Sequence, residues 1–232
     1  MALRIFDTDP DARPKPRQSF NDEYAARFYM GRQVDNQPEA LSEWRVMTAD
    51  REVGQAIAQL VGGRPVETDS SADKFIEILT TSARILVVLD GPGAITSDMK
   101  LWNRGKLVHH CDGVDFLSHA DEKRVGTACG CPTLFAERKQ AARDYMGPAP
   151  SINVRFRLAD DPDLGQCHFQ TTSWTLAEVL HEHDEALTRI GGEALCELSI
   201  EAVEYTTKKG RNVSYLKPVL RVLKSWNDAI AD

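Results

Sequence analysis

The residues best suited to chemistry are histidines and cysteines that cluster near the middle of the chain. His109 and Cys111 lie two positions apart, and seventeen residues separate Cys111 from the segment Cys129-Gly130-Cys131-Pro132. Thiolates and imidazoles are common zinc ligands in proteins. In an extended chain, residues two apart lie on the same side, so His109 and Cys111 can bind one ion while His110 points away. The sequence therefore predicts a zinc site with the ligands Cys111, Cys129, Cys131 and His109.

Three thiolates and one imidazole complete a tetrahedral shell, which leaves no position for water and is typical of a structural zinc site. The spacing leaves two alternatives open. The cysteines could instead be free buried thiols. The fourth ligand could also be a residue other than His109, with the competitors His110, His119, Cys167 and His168. Cys196 is better explained as a small apolar residue within a strand.

The sequence does not match the motifs of familiar catalytic sites. Zinc deaminases combine H-x-E with C-x-x-C and use the glutamate as acid and base, whereas Cys111 occupies that glutamate position here. His181 and His183 lie two apart in a predicted helix, unlike the pair in H-E-x-x-H. Neither a phosphate-binding glycine motif nor a nucleophile elbow is found. We expect a protein that is not an enzyme; the alternative, a metal-dependent hydrolase, requires an open coordination position beside a general base.

A second candidate site is basic. Residues 208–211, of sequence KKGR, and Lys217 could bind phosphate from a hairpin, with Tyr205, Tyr215 and Trp226 available for stacking on bases. The alternative is a solvated turn beside core aromatics. The chain has 28 Lys and Arg against 35 Asp and Glu, a formal charge of -7, and proteins that bind through phosphate contacts are usually basic. The charge balance therefore favours the solvated turn.

Length and composition indicate an intracellular globular protein. The 232 residues, 42% of them hydrophobic, suffice to bury a core and fit one large domain or two small ones. Five cysteines, an odd number, do not form a closed disulfide framework and fit a reducing compartment. No segment approaches the roughly 18 to 20 apolar residues of a membrane span. Acidic residues follow from Asp7 before an apolar segment develops, so we expect no secretory signal. We expect a cytoplasmic location.

The patterning predicts an α+β fold in three regions. Residues 1–40 are expected to form a flexible arm, because prolines alternate with charges over residues 7–17. Residues 41–147 are expected to form an α+β region, held by zinc, with mixed strands and helices. The Pro-rich segment at residues 147–150 ends this region. Residues 148–232 are expected to form a β-rich C-terminal unit with one helix.

Apolar periodicity places the individual elements. In the central region it predicts helices over residues 53–61, from about Ser70 to Leu79 and over 134–146, and strands over 85–89, 95–102 and 106–111. In the C-terminal region it predicts strands over residues 152–158 and 167–171, and a helix that a capping box at Thr175 opens and Gly191 closes. Two further strands, over residues 196–205 with a bulge near Ala202 and over 213–223, complete the unit.

Several segments together resemble a known family. They are RIFDTDP at residues 4–10, VVLDGPGAI at 87–95, HHCDG at 109–113 with CGCP at 129–132, and FRLA at 156–159. With these segments the chain resembles the recombination directionality factors of actinobacterial temperate phages that use large serine integrases.

The resemblance implies a regulatory binding protein. Such a factor binds its serine integrase by protein contact, permits attL × attR excision and inhibits attP × attB integration. It contacts DNA indirectly, through the integrase complex, and acts in the cytoplasm of the bacterial host. The acidic charge agrees with this implication, and the zinc would hold the central fold. The resemblance assigns no integrase-contacting residues. The competing interpretation, a single-stranded-DNA-binding recombination accessory protein, predicts DNA affinity that falls steeply with salt.

Overall fold

The computed structural model describes residues 24–70, 73–208 and 210–231. These residues form twelve β-strands and four α-helices, which confirms the predicted α+β class. The strands are β1 Ala26–Val34, β2 Gln37–Thr48, β3 Arg64–Ser70, β4 Asp73–Leu79, β5 Arg84–Leu89, β6 Ile95–Asn103, β7 Lys106–Cys111, β8 Phe116–Ser118, β9 Ala149–Leu158, β10 Cys167–Thr171, β11 Ala194–Thr206 and β12 Asn212–Ser225. The helices are α1 Arg51–Val61, α2 Phe135–Arg143, α3 Trp174–Ile190 and α4 Trp226–Ala231.

The strands pair in the order β12-β11-β5-β9-β10-β1-β2-β4-β3, and β6, β7 and β8 branch from β9. The branch arises because β5 and β6 follow one another along one edge of β9. Strand β5 pairs with Arg157 and Leu158, whereas β6 pairs with residues 149–154. The chain therefore leaves the main sheet after β6 and enters the β6–β7 hairpin, which carries two of the predicted ligands.

Aromatic side chains from four adjacent strands fill the main core. Phe28 contacts Phe156 and Trp44 edge to face, at 5.3 and 6.1 Å between ring centroids, and Trp44 contacts Phe169 at 5.1 Å. All four rings are at most 1% exposed. Edge-to-face pairs at these separations stabilise a core beyond the burial of their area.

Two helices pack on the sheet through short apolar stripes. In α1, Asp50 caps the first turn by accepting hydrogen bonds from the Glu52 and Val53 backbone N–H groups at 2.8 and 3.3 Å, and Ile57 is buried below. In α3, Ser173 rather than the predicted Thr175 is the cap, and it accepts from the Leu176 N–H at 3.3 Å. None of the helices in the described ranges is long and apolar enough to span a membrane.

The β1–β2 hairpin corrects the prediction of a flexible arm that reaches residue 40. Residues 27–34 pair with residues 37–47, and Phe28 fills the core from β1. The turn between them uses Asp35 and Asn36 in the left-handed region, at φ 50° and 62°, which Asp and Asn adopt more readily than most residues. Residues 1–23 of the predicted arm lie outside the described residues.

The predicted helix from Ser70 to Leu79 is also wrong. Strand β4 occupies this segment and pairs with β2 on one side and β3 on the other. Ile76 and Ile78 alternate toward the core at 7% and 0% exposure, which is the period of a strand. Ser71 and Ala72, at the expected helix start, lie outside the described residues.

Strands from both sides of the predicted boundary at residues 147–150 alternate in the sheet. Strand β5 lies between β11 and β9, and β1 lies beside β10. The hydrogen-bonded sheet is therefore continuous across the predicted boundary. The division of the remaining chain into a central and a C-terminal region stays a prediction. The C-terminal part carries a second helix, α4, which the sequence did not predict. The bulge predicted near Ala202 is wrong, since the register of β11 shifts between Leu195 and Cys196.

Candidate metal centre

Strand β7 presents the first two ligands on one face. His109 lies opposite Leu101 of β6, and Cys111 lies opposite Met99. The residue between them faces the other way: His110 Nδ1 lies 2.9 Å from the Ser118 hydroxyl, and its Nε2 lies 3.1 Å from an Asp98 carboxylate oxygen. The alternation predicted for this segment is therefore confirmed, and His110 does not join the ligand group.

A loop after β8 brings the second pair of ligands to β7. The Phe116 N–H donates to the Thr127 carbonyl at 2.9 Å, and the Cys129 N–H donates to the Val114 carbonyl at 2.8 Å. Gly130 then adopts the left-handed region at φ 75°, where a glycine avoids the strain of a side chain. This turn directs Cys129 and Cys131 toward the same point.

The structure brings together the four predicted ligands. The ligand atoms of His109, Cys111, Cys129 and Cys131 all lie within 4.8 Å of one another. Cys131 Sγ lies 3.8 Å from Cys111 Sγ and 3.4 Å from His109 Nε2. The sulfur separation is far longer than the roughly 2.05 Å of a disulfide, and all five cysteines are free. This group could hold a metal ion.

Burial sets the protonation of the group. It raises the pKa of the Cys111 thiol to about 12 and also raises that of Cys131. It lowers the pKa of His109, which keeps the imidazole neutral and its lone pair available. Buried thiols of this kind ionise when a cation compensates the charge, so metal binding releases their protons.

The competing fourth ligands are engaged elsewhere. His119 packs against the Phe116 ring at 4.9 Å between centroids, and its Nδ1 accepts from the Asp121 N–H at 2.9 Å. Cys167 is fully buried in the main core. His168 stacks on Tyr24 at 4.7 Å and lies 3.2 Å from the Asn153 side-chain oxygen.

The protein around the ligands is a small lobe. In residues 106–132, which we call the metal lobe, the buried apolar cluster consists of Cys111, Phe116 and Cys129, with Met99 and Cys131 packed against them. The His109 ring lies against Phe116 at 4.9 Å between centroids. Arg138 of α2 donates to the Pro132 carbonyl at 2.5 Å and so fixes the end of the lobe to that helix.

A cavity of about 530 Å³ opens beside the ligands and includes the carboxylates of Glu137 and Asp144 in its lining. A hydrolytic metal site would need such a carboxylate together with an open coordination position. The three sulfurs and one nitrogen, however, suffice for a closed tetrahedral shell. The donor set therefore fits a structural ion better than a catalytic one.

The structure brings most residues of the predicted basic site together but places Trp226 elsewhere. Tyr205, Lys208, Arg211, Tyr215 and Lys217 line one groove. Trp226 opens α4 at the opposite end of the β11–β12 hairpin, and Lys209 lies outside the described residues. The sequence did not predict that Lys139 and Arg143 of α2 line the same groove, although their i, i+4 spacing places both on one helix face.

Comparison with known proteins identifies the family. Residues 17–223 match the family model described as recombination directionality factor-like, or Gp3-like. The chain belongs to this family. No solved structure matches the chain.

Two of the segments that carry the resemblance, residues 87–95 and residues 156–159, contact each other where the sheet branches. Asp90, in the turn after β5, accepts a hydrogen bond from Arg157 of β9 at 2.8 Å, and Glu193 accepts from the same guanidinium at 2.6 Å. Arg155 donates to the Gly93 carbonyl at 2.7 Å. These contacts fix the point where the sheet branches toward the metal lobe.

Proposed function

We propose that this chain is a recombination directionality factor that binds a large serine integrase and switches it from attP × attB integration to attL × attR excision. The observation that carries the proposal is the family match over residues 17–223. The resemblance of the quoted segments to factors of actinobacterial phages supports the choice of a serine integrase. In this proposal the protein is not an enzyme, contacts DNA through the integrase complex, and acts in the host cytoplasm.

We also propose that the ion of the metal centre is structural Zn²⁺. With Zn–S near 2.3 Å and Zn–N near 2.0 to 2.1 Å, tetrahedral angles separate two sulfurs by about 3.8 Å and a sulfur from a nitrogen by about 3.6 Å. The observed separations are 3.8 Å between Cys111 Sγ and Cys131 Sγ, and 3.4 Å between Cys131 Sγ and His109 Nε2. Soft thiolates in this number favour zinc over calcium or magnesium. The bound ion would cross-link β7 to the loop that carries Cys129 and Cys131.

The charge of the chain supports action through protein contact. A formal charge of -7 disfavours sequence-independent attraction to DNA, which arises mainly from contacts with phosphates. A directionality factor needs only to bind one integrase conformation more tightly than another. A differential affinity of about 5.5 kcal/mol moves a two-state equilibrium from 1:99 to 99:1.

The test is an in vitro recombination assay with the purified protein and the serine integrase encoded near its gene. We expect attL × attR recombination to require the protein, and attP × attB recombination to fall when it is added. Cys111→Ser, which removes a zinc ligand, should lose both effects, whereas Cys196→Ala in the main core should retain them. If folded, zinc-loaded protein leaves both reaction directions unchanged, the proposed function is wrong.

A further inference from the structure

A groove of about 900 Å³ lies between the turn end of the β11–β12 hairpin and the helices α2 and α3. Its described lining contains five basic side chains and no acidic one. They are Lys139, Arg143, Lys208, Arg211 and Lys217. In a chain of formal charge -7, this concentration of positive charge marks the groove as a binding surface for an anion.

Three of the five cations are available to a ligand. Lys139 forms an ion pair with Glu178 at 3.1 Å, and Lys217 with Glu201 at 3.7 Å. By contrast, Arg143, Lys208 and Arg211 are exposed and form no ion pair with the described part of the chain. The N-terminus of the seventeen-residue helix α3 also lines the groove, and its dipole adds positive potential.

Aromatic side chains form the floor on the hairpin side. Tyr205 pairs with Val213, and Tyr215 pairs with Val203, so the two tyrosines are diagonal neighbours on one face of the hairpin. They are 52% and 40% exposed. Tyrosine and arginine are among the residues that contribute most of the binding energy at protein interfaces.

The shape and charge of the surface favour a peptide over nucleic acid. A DNA strand carries about one charge per 3.4 Å of helix axis, so a strand that extends beyond the groove would meet the acidic remainder of the molecule. A short acidic segment of a protein confines its negative charge to the groove and avoids this repulsion. The cations also lie on two facing walls, whereas a nucleic-acid footprint forms a continuous basic stripe.

We propose that this groove binds a short acidic peptide segment of the partner recombinase; the identity of the partner rests on the proposed function. Carboxylates of the segment would pair with Arg143, Lys208 and Arg211, and its apolar atoms would pack on Tyr205 and Tyr215. Guanidinium groups bind carboxylates in a two-pronged geometry, so the arginines determine much of the affinity.

The binding test uses the full chain and a fluorescein-labelled octaglutamate peptide, followed by fluorescence anisotropy over a series of salt concentrations. We expect R143E/R211E to raise the dissociation constant at least tenfold. The control K106E/K123E makes the same change in net charge at two exposed lysines outside the groove, and it should change the constant less than twofold. Equal effects of both variants would overturn the proposal, since they would show attraction to net charge alone.

A second arm uses an oligothymidylate with the same number of charges as the peptide. Tighter binding of this oligonucleotide, lost in R143E/R211E, would overturn the peptide proposal in favour of single-stranded DNA. The thermal unfolding midpoint and zinc content of R143E/R211E should equal those of the wild type. If they do not, R143Q/R211Q removes both charges without reversing them and replaces it in every measurement.

Co-elution with the serine integrase separates this proposal from the proposed function. We expect wild type and K106E/K123E to co-elute with integrase, and R143E/R211E to elute alone. Co-elution of R143E/R211E would overturn the groove as the docking surface and leave the proposed function in place. If wild-type protein fails to co-elute, the proposed function itself is wrong, and the recombinase is not the source of the acidic segment.

Discussion

The main sheet and the metal lobe reach a stable fold by different means. Around Trp44, strands β1, β2, β9 and β10 bury four aromatic rings within a continuous apolar core. Around Cys111, the buried side chains are Phe116 and two cysteines. A set this small cannot offset the entropy of ordering residues 106–132. The comparison indicates that burial stabilises the sheet, whereas the lobe would gain most of its stability from the proposed ion.

Removal of a zinc ligand should have the largest effect and should be confined to the lobe. Structural zinc contributes on the order of 10 kcal/mol to small domains that fold around it. We expect Cys111→Ser to lose bound zinc and to expose the amides of residues 106–131 to hydrogen exchange, while Ile152 and Val154 in β9 stay protected. Native mass spectrometry and hydrogen-exchange mass spectrometry measure both quantities.

The control for this experiment is Cys196→Ala, which alters a fully buried cysteine of the main core. It should retain stoichiometric zinc and normal exchange in the lobe. Loss of protection throughout the sheet in Cys111→Ser would contradict the separation of the two regions.

Truncation of Trp44 should destabilise the main sheet and leave the zinc content of the lobe unchanged. The side chain is 0% exposed and contacts Phe28 and Phe169, so Trp44→Ala creates a cavity and should lower the free energy of unfolding by about 3 to 5 kcal/mol. Chemical denaturation measures this change. Zinc content in native buffer should stay at one ion per chain.

Trp44→Phe is the matched variant. It removes an indole N–H that lacks a hydrogen-bond partner among the described residues and keeps an aromatic ring in place. We expect it to cost less than half as much as Trp44→Ala. Loss of zinc from either variant under native conditions would show that the lobe depends on the sheet core.

Alkaline pH should weaken the sheet through its two buried thiols. Burial raises the pKa of Cys167 and of Cys196 from 9.0 to about 12. Above pH 9 the unfolded chain loses thiol protons that the folded chain retains, so the free energy of unfolding falls as pH rises. The loss approaches about 1.4 kcal/mol per pH unit for each thiol.

Denaturation of wild type and of Cys167→Ala/Cys196→Ala at pH 8, 9 and 10 isolates this effect from other titrating groups. The double variant should show a shallower decline above pH 9. Parallel curves for the two proteins would mean that these thiols ionise equally in the folded and unfolded states.

The smallest expected change in stability comes from loss of the cap of α1, a helix that packs on the main sheet. Asp50 accepts two backbone hydrogen bonds at the start of α1. Asp50→Ala should lower the free energy of unfolding by about 1 kcal/mol, and Asp50→Asn should recover most of the loss because its side-chain oxygen can still cap. Urea denaturation resolves both values, and a cost for Asp50→Asn equal to that of Asp50→Ala would argue against capping by this side chain.

The sequence could predict which four side chains cluster, because local geometry determines most of this arrangement. Alternation along β7 places His109 and Cys111 together and His110 apart, and this depends only on an extended backbone. The choice of His109 over His119 needed the fold, which places His109 among the three cysteines and engages His119 Nδ1 with the Asp121 N–H.

Features that depend on long-range pairing could not be predicted from the sequence. Apolar residues from Phe75 to Leu79 fit a helix as well as a strand, and pairing of β4 with β2, about thirty residues earlier, decides between them. The basic groove is a second case. The hairpin residues were visible in the sequence, but Arg143 joins them only because the fold places α2 beside the hairpin.

Zinc K-edge X-ray absorption of the purified protein tests the central claim most directly. The account predicts three sulfur ligands near 2.3 Å and one nitrogen near 2.0 to 2.1 Å, contributed by Cys111, Cys129, Cys131 and His109. A shell containing a water oxygen, or fewer than three sulfurs, would contradict a closed structural site that holds the metal lobe.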